Sequence, residues 1–225
     1  FFFFKLTSSP LLLKLKCMDN QEKQSKEQQI LAVAEQEFLT RGYDGARTTS
    51  IAQAAGVTHA MLHYYFRTKE QLFKRIVDEK FETMSHSMFA IMGDPSLPIV
   101  ERIKGGIEAH FDFIASNPLL PRFVINEIIS RPERYKLLYK RVGAVIDNVY
   151  CDLQFEIDRS AERGEIERVD VKMLFVSILS LNIFTFIAYP FMEPLMGELM
   201  ADREGFLAVR KAENIETILR SIKKQ

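Results

Sequence analysis

The segment from Thr48 to Phe66 constrains this chain more than any other. It reads Thr48-Thr49-Ser50-Ile51-Ala52-Gln53-Ala54-Ala55-Gly56-Val57-Thr58-His59-Ala60-Met61-Leu62-His63-Tyr64-Tyr65-Phe66. A hydroxyl residue opens each half, and a glycine stands between them. Side-chain hydroxyls accept from the free N–H groups at a helix start. Glycine allows the tight reversal that follows, because it has no side chain. The spacing predicts a helix-turn-helix, a unit whose second helix can lie in the major groove of DNA. Ile51, Ala52 and Ala55 give its first helix a small apolar face, so the second can cross closely. Val57 is expected to fill the angle, Met61 and Leu62 to point inward, and Phe66 to pack with Phe38 and Leu72. His59, Ala60, His63 and Tyr64 are then left outward.

Helical periodicity runs through nearly every long segment. Ile30, Leu31, Ala34, Phe38 and Leu39 mark a first helix over about 25–39, stopped by Gly42. Thr48 or Thr49 caps a second through Ala55, and Thr58 a third through about Tyr65. Thr68 with Gln71 forms a capping box for a fourth, through roughly Met88. Gly93-Asp94-Pro95 and Pro98 break the chain. Further helices are expected at 99–116, 119–129 and 133–161, then from an Asp170 cap to Tyr189 with Pro190 closing it, and at 203–222. The fold class is therefore all-α, about nine helices without a strand. A three-helix headpiece over 23–90 precedes a larger helical body over 91–225.

Charge separates the two parts. The whole chain has 30 basic and 30 acidic residues and a formal net charge of +0. Between Arg41 and Arg75, six basic residues face two acidic ones, a net of +4. A phosphate-binding surface needs only such a local excess. Cys17 and Cys151 provide no disulfide framework and suit a reducing, cytoplasmic setting. The four histidines have no metal-ligand spacing. No nucleophile–base pair, metal set or cofactor loop points to an enzyme, and no cofactor is expected.

Two apolar stretches need an account. Residues 1–17 hold four phenylalanines and a leucine run broken by Lys5, Lys14 and Lys16. Met18 opens a more ordinary segment, so residues 1–22 are expected to be a disordered or non-native extension. Met173 to Met192 carries no charge over a length that could cross a bilayer. Ser177, Ser180, Asn182 and Thr185 interrupt it, which favours a helix buried between a core and a partner.

The segment Gln29 to Phe73 resembles the DNA-binding domain of the TetR family of bacterial regulators. The likeness runs through Ile30-Leu31, Ala34, Phe38, Gly42-Tyr43, Thr48-Thr49, Ile51-Ala52, Ala54 to Thr58, Leu62, Tyr64-Tyr65-Phe66, Lys69-Glu70 and Leu72. It implies a homodimer on a palindromic double-stranded operator, with the third helix in the major groove. Thr58, His59 and Ala60 would lie in that helix's first turn, with His63 and Tyr64 one turn on. Thr49 would place a helix N-terminus on phosphate, and Arg47 and Lys69 would hold flanking backbone. The body would dimerise through roughly 169–189 and 203–222, and Phe175, Ile178, Leu179, Phe186 and Ile187 include candidates for both core and interface.

An effector pocket is expected among His110, Phe111, Phe113, Ile114, Phe123, Asn126, Tyr150, Phe155, Phe175 and Asn182. So aromatic a wall favours a small apolar or aromatic effector. The function expected is a transcriptional repressor relieved by that effector. The alternative is a DNA-binding regulator with a filled body, controlled by a protein partner.

Overall fold

The computed structural model describes residues 10–129 and 131–224, with side chains from Gln24 onward except at 135, 137, 138, 141, 142 and 144–146. Of the extension expected over 1–22, residues 1–9 lie outside the described residues, and the backbone from Pro10 onward is helical. The described residues form ten α-helices and one π turn, and no strand. They divide into two compact units, one ending at Glu79 and the other starting at Lys80.

The first unit holds α1 (Pro10–Gly45), α2 (Thr48–Ala54), α3 (His59–Phe66) and the start of α4 (Lys69–Met92). Gly42 breaks the helical path of α1 at φ 68°, a conformation that costs glycine little. The unit's core is Ile30, Ala34, Phe38, Ile51, Leu62, Phe66, Leu72 and Phe73. Phe38 meets the Phe73 ring edge-on at 5.2 Å and stacks on Tyr43 at 6.0 Å. Phe38, Phe66 and Leu72, expected to share one small core, are all buried in this unit.

The second unit holds the rest of α4, then α5 (Ile99–Ser116), α6 (Leu120–Val124), the π turn (Ile125–Ile129) and α7 (Pro132–Glu162). It continues with α8 (Val171–Met196), α9 (Glu198–Ala201) and α10 (Arg203–Ile222). Its larger core joins Met88, Met92, Ile103, Ile107, Leu153, Ile157, Phe175, Ile178 and Ile218. This explains why the units divide inside α4 and not near residue 90. Met88 and Met92 bury their side chains with α5, so the end of α4 belongs with the body. Arg102, itself buried, donates from Nε to the Met92 carbonyl at 2.7 Å and satisfies a free group at the helix end. A Cβ at Gly106 would overlap the Met92 side chain, so glycine permits the close approach of α4 and α5.

Local signals set most ends. Asp170 accepts from Lys172 N and Met173 N, the cap expected for α8. Gln154 of α7 fixes the same turn, accepting from Val171 N at 2.7 Å and donating to the Val169 carbonyl. The expected stop at Pro190 does not occur, because α8 continues through Pro190 and Pro194 to Met196. Proline deletes one backbone hydrogen bond without forbidding the helix. Tyr189 anchors this stretch, with its hydroxyl donating to the Met200 carbonyl at 3.3 Å and its ring against Phe206. Gly197, at φ 55°, ends the helix. The helices beyond the expected nine are α9 and the π turn, both too short to show a periodic pattern.

Candidate nucleic-acid interface

The helix α3 is held at both ends by local chemistry. Thr58 is its N-cap and accepts from Met61 N at 3.1 Å. After Phe66, Arg67 takes φ 53°, and its N–H donates to the His63 carbonyl at 2.8 Å. Thr68 then caps α4, accepting from Gln71 N at 3.1 Å. Gly56, at φ +62°, makes the turn before α3, and Val57 N donates to the Ala52 carbonyl at 3.0 Å. Ile51, Ala52 and Ala55 are buried, as are Leu62 and Phe66 one helical turn apart. The opposite face of α3 must then point to solvent.

That face carries Thr58, His59, Ala60, His63 and Tyr64, all exposed. The Tyr64 side chain is 72% exposed, more than any core role would leave it. Met61 departs from expectation: it is 39% exposed and joins this surface. In so short a helix, Leu62 and Phe66 take the inward positions, and Met61 is rotated away from them. Hydrophobicity alone could not distinguish Met61 from its neighbour.

The start of α2 also differs from the sequence expectation. Its N-cap is Arg47, without a side-chain cap bond, and Thr48 and Thr49 lie inside the first turn. Thr48 Oγ1 lies instead 3.2 Å from His59 Nε2, a hydrogen bond from α2 to the first residue of α3. Thr49 and Arg47 are exposed near them. Arg47 N donates to Glu37 Oε1 at 3.3 Å, tying this corner to α1. Lys69 is half-buried, its ammonium 3.4 Å from the Asp44 carbonyl and 4.7 Å above the Tyr43 ring. It therefore clamps the end of α1 as well as adding charge to the surface.

The proposed effector residues fall into separate groups in the second unit. His110 and Asn182 are buried and joined, Asn182 Nδ2 lying 3.1 Å from His110 Nδ1 and 3.1 Å from the Ile107 carbonyl. Burial holds the His110 imidazole down to about 4, so the ring is neutral near pH 7. Phe111 and Ile114 cluster with Phe186, and Phe113 packs against them. Tyr150 meets the Phe175 ring at 4.7 Å, within the larger core. Phe123 is buried on α6, while Asn126 is exposed on the π turn. Phe155 is exposed, with the Arg159 guanidinium over its ring. Sequence reasoning missed Asn214, a buried residue of α10 that donates from Nδ2 to Asn182 Oδ1 at 2.9 Å. A polar residue on an amphipathic helix gives no signal of that kind.

Known proteins resemble this chain in both sequence and fold. The family model described as bacterial regulatory proteins, tetR family, matches residues 30–76. The probable HTH-type transcriptional regulator ArpR of Pseudomonas putida is 33% identical over 166 residues, covering 71% of this chain and 78% of ArpR. The HTH-type transcriptional activator FasR of Mycolicibacterium smegmatis is 22% identical over 156 residues, 69% of this chain and 68% of FasR. Among solved structures, a tetR-family regulatory protein from Rhodococcus RHA1 superposes with a TM-score of 0.68 at 20% identity, covering 89% of this chain and 98% of that one. The ketosteroid transcriptional regulator KstR2 of Mycobacterium tuberculosis superposes with a TM-score of 0.65 at 18% identity, covering 88% and 95%. These two share the all-helical fold. With the helix-turn-helix geometry and the ArpR match, the chain belongs to the TetR family of bacterial regulatory proteins and is a DNA-binding transcriptional regulator, not an enzyme.

Proposed function

We propose that this regulator is a cytoplasmic homodimeric repressor of a palindromic operator, relieved by a small apolar or aromatic effector. The observation that carries the DNA-reading part is the solvent face of α3. Thr58, His59, Ala60, His63 and Tyr64 project from a short helix whose other face is locked into a core. Hydroxyl, imidazole and phenol groups suit phosphate oxygens and base acceptors, and Ala60 suits a thymine methyl. Arg47, Thr49 and Lys69 flank that face and supply phosphate contacts. The α3 surface carries no arginine that could grip guanine with two bonds, so DNA shape shares in specificity.

The exposed side of α8 supports the homodimer. Met173, Val176, Phe184, Ile187, Phe191 and Leu195 are exposed apolar residues three to eight positions apart, with Ser180 exposed in the gap. That periodicity aligns them on one stripe. A stripe so apolar on a folded chain marks an association surface. A second copy would cover it, pairing the operator's two half-sites with two α3 helices. The same stripe explains the uncharged run, since α8 buries one side in its own core.

Effector control is assigned to the second unit, where His110, Phe111, Ile114, Phe123, Asn126, Tyr150, Phe175 and Asn182 are the candidate contacts. The helix α4 contributes residues to both units, Leu72 and Phe73 to one core and Met88 and Met92 to the other. An effector that moved its second half would change the spacing of the recognition helices, a two-state coupling. The test is selection of duplexes from a random pool by the purified chain, followed by transcription in vitro from the enriched site. The expected result is a palindrome whose occupancy lowers transcription. A site without two-fold symmetry, or raised transcription, would contradict this reading.

A further inference from the structure

We propose that Thr48 is a positioning residue for DNA reading: it fixes the ring of His59 and the nitrogen that carries its proton. The proposal rests on the reading of α3 as the DNA-facing helix. Thr48 stands on the first turn of α2, yet α2 has no side-chain cap bond. The hydroxyl instead meets His59 Nε2 at 3.2 Å. The two residues are eleven positions apart, and the helices that carry them are locked by buried Ile51, Ala52, Ala55 and Leu62. Thr48 is half-buried, while His59 is exposed. The Nε2 edge of the ring is thus turned back to α2, which leaves Nδ1 as the nitrogen available to a ligand.

A hydroxyl both donates and accepts, and in the proposed arrangement it donates to Nε2. A neutral imidazole has one donor and one acceptor nitrogen, and the bond made by one decides the role of the other. Among the described residues, the Thr48 hydroxyl has His59 as its hydrogen-bond partner and no other. Its proton is used when O–H donates to Nε2. His59 then carries its own proton on Nδ1 and offers DNA a donor. Phosphate oxygens, purine N7, guanine O6 and thymine O4 are all acceptors. A ring fixed in this state favours those groups over the cytosine amino donor. Loss of the Thr48 hydroxyl frees the ring to turn and to move its proton.

The experiment uses the full chain, the duplex it enriches from a random pool, and the variants Thr48→Val, Thr48→Ser, His59→Ala and the Thr48→Val/His59→Ala pair. Imidazole nitrogen spectra of the free protein should place the His59 proton on Nδ1 in the wild type and lose that preference in T48V. T48V should bind roughly three- to tenfold more weakly, the weight of one hydrogen bond. T48S should restore binding, and T48V should add nothing once His59 is alanine. Matching thermal unfolding of T48V and wild type excludes simple loss of fold. A wild-type proton on Nε2, or an equal T48V effect in the H59A background, would overturn the role of Thr48. An H59A chain that binds as well as wild type would overturn the DNA-facing reading of that residue, and the proposal with it.

Discussion

Asn214 Nδ2 lies 2.9 Å from Asn182 Oδ1 in the interior of the second unit, and both side chains are almost fully buried. The bond is one step of a ladder across α10, α8 and α5. Asn182 Nδ2 continues it to His110 Nδ1 and to the Ile107 carbonyl. With its amide donating twice and its carbonyl accepting once, Asn182 is the centre of the ladder. Three helices that would otherwise meet only through apolar side chains are thereby held in one register.

Asn182→Leu should destabilise the chain by about 2–4 kcal/mol, because it leaves buried polar groups on both His110 and Asn214 without their partner. Urea unfolding followed by circular dichroism measures this. A loss below about 0.5 kcal/mol would mean the ladder contributes little beyond packing.

The same ladder predicts a dependence on pH. His110 titrates at about 4 when folded and near 6.5 when solvated, because burial disfavours the imidazolium. The unfolded chain therefore binds the proton first as pH falls. The contribution of the neutral ring is full above about pH 6.5, declines between 6.5 and 4, and is gone below that window. Its size is roughly 3 kcal/mol. Stability of wild type and His110→Gln across this window should converge toward pH 4, with the steeper fall in wild type. Parallel curves would contradict the assignment.

Phe38→Ala should remove the ring that joins Tyr43 to Phe73 in the first unit. A fully buried phenylalanine of this kind is worth about 3–5 kcal/mol. The expected outcome is loss of protection from amide exchange in α1 to α3, together with loss of DNA binding. Retained binding at wild-type affinity would show that α3 does not depend on this core.

Phe184→Glu should separate the proposed dimer without unfolding the chain. Phe184 is 64% exposed in the middle of the apolar stripe on α8. A carboxylate there would be buried unpaired against the second copy, weakening association by roughly tenfold or more. Sedimentation velocity over a concentration series measures this, and an unchanged dimer would remove the stripe from the interface.

What was legible in the sequence was mainly local. Thr58, Thr68 and Asp170 announce helix starts because a capping side chain sits three or fewer residues before the N–H it accepts. Leu62 and Phe66 announce a core by their spacing, and α5 and α10 are legible from periodicity, with Pro98 marking where α5 starts. The misses are tertiary. Thr48 looks like a cap, but its hydroxyl goes to His59 across the turn. Pro190 looks like a stop, but the Tyr189 anchor carries α8 past it. Phe111, Phe175 and Tyr150 look alike in composition, yet they fall into different clusters once the helices pack.

The central claim is that the exposed face of α3 reads DNA, and the affinity of the His63→Ala/Tyr64→Ala chain for the selected duplex tests it most directly. These two side chains contribute nothing to the buried core, so folding should be unaffected. The expected result is a loss of about tenfold or more with an unchanged melting temperature. Unchanged affinity in a folded variant would place DNA recognition on another surface.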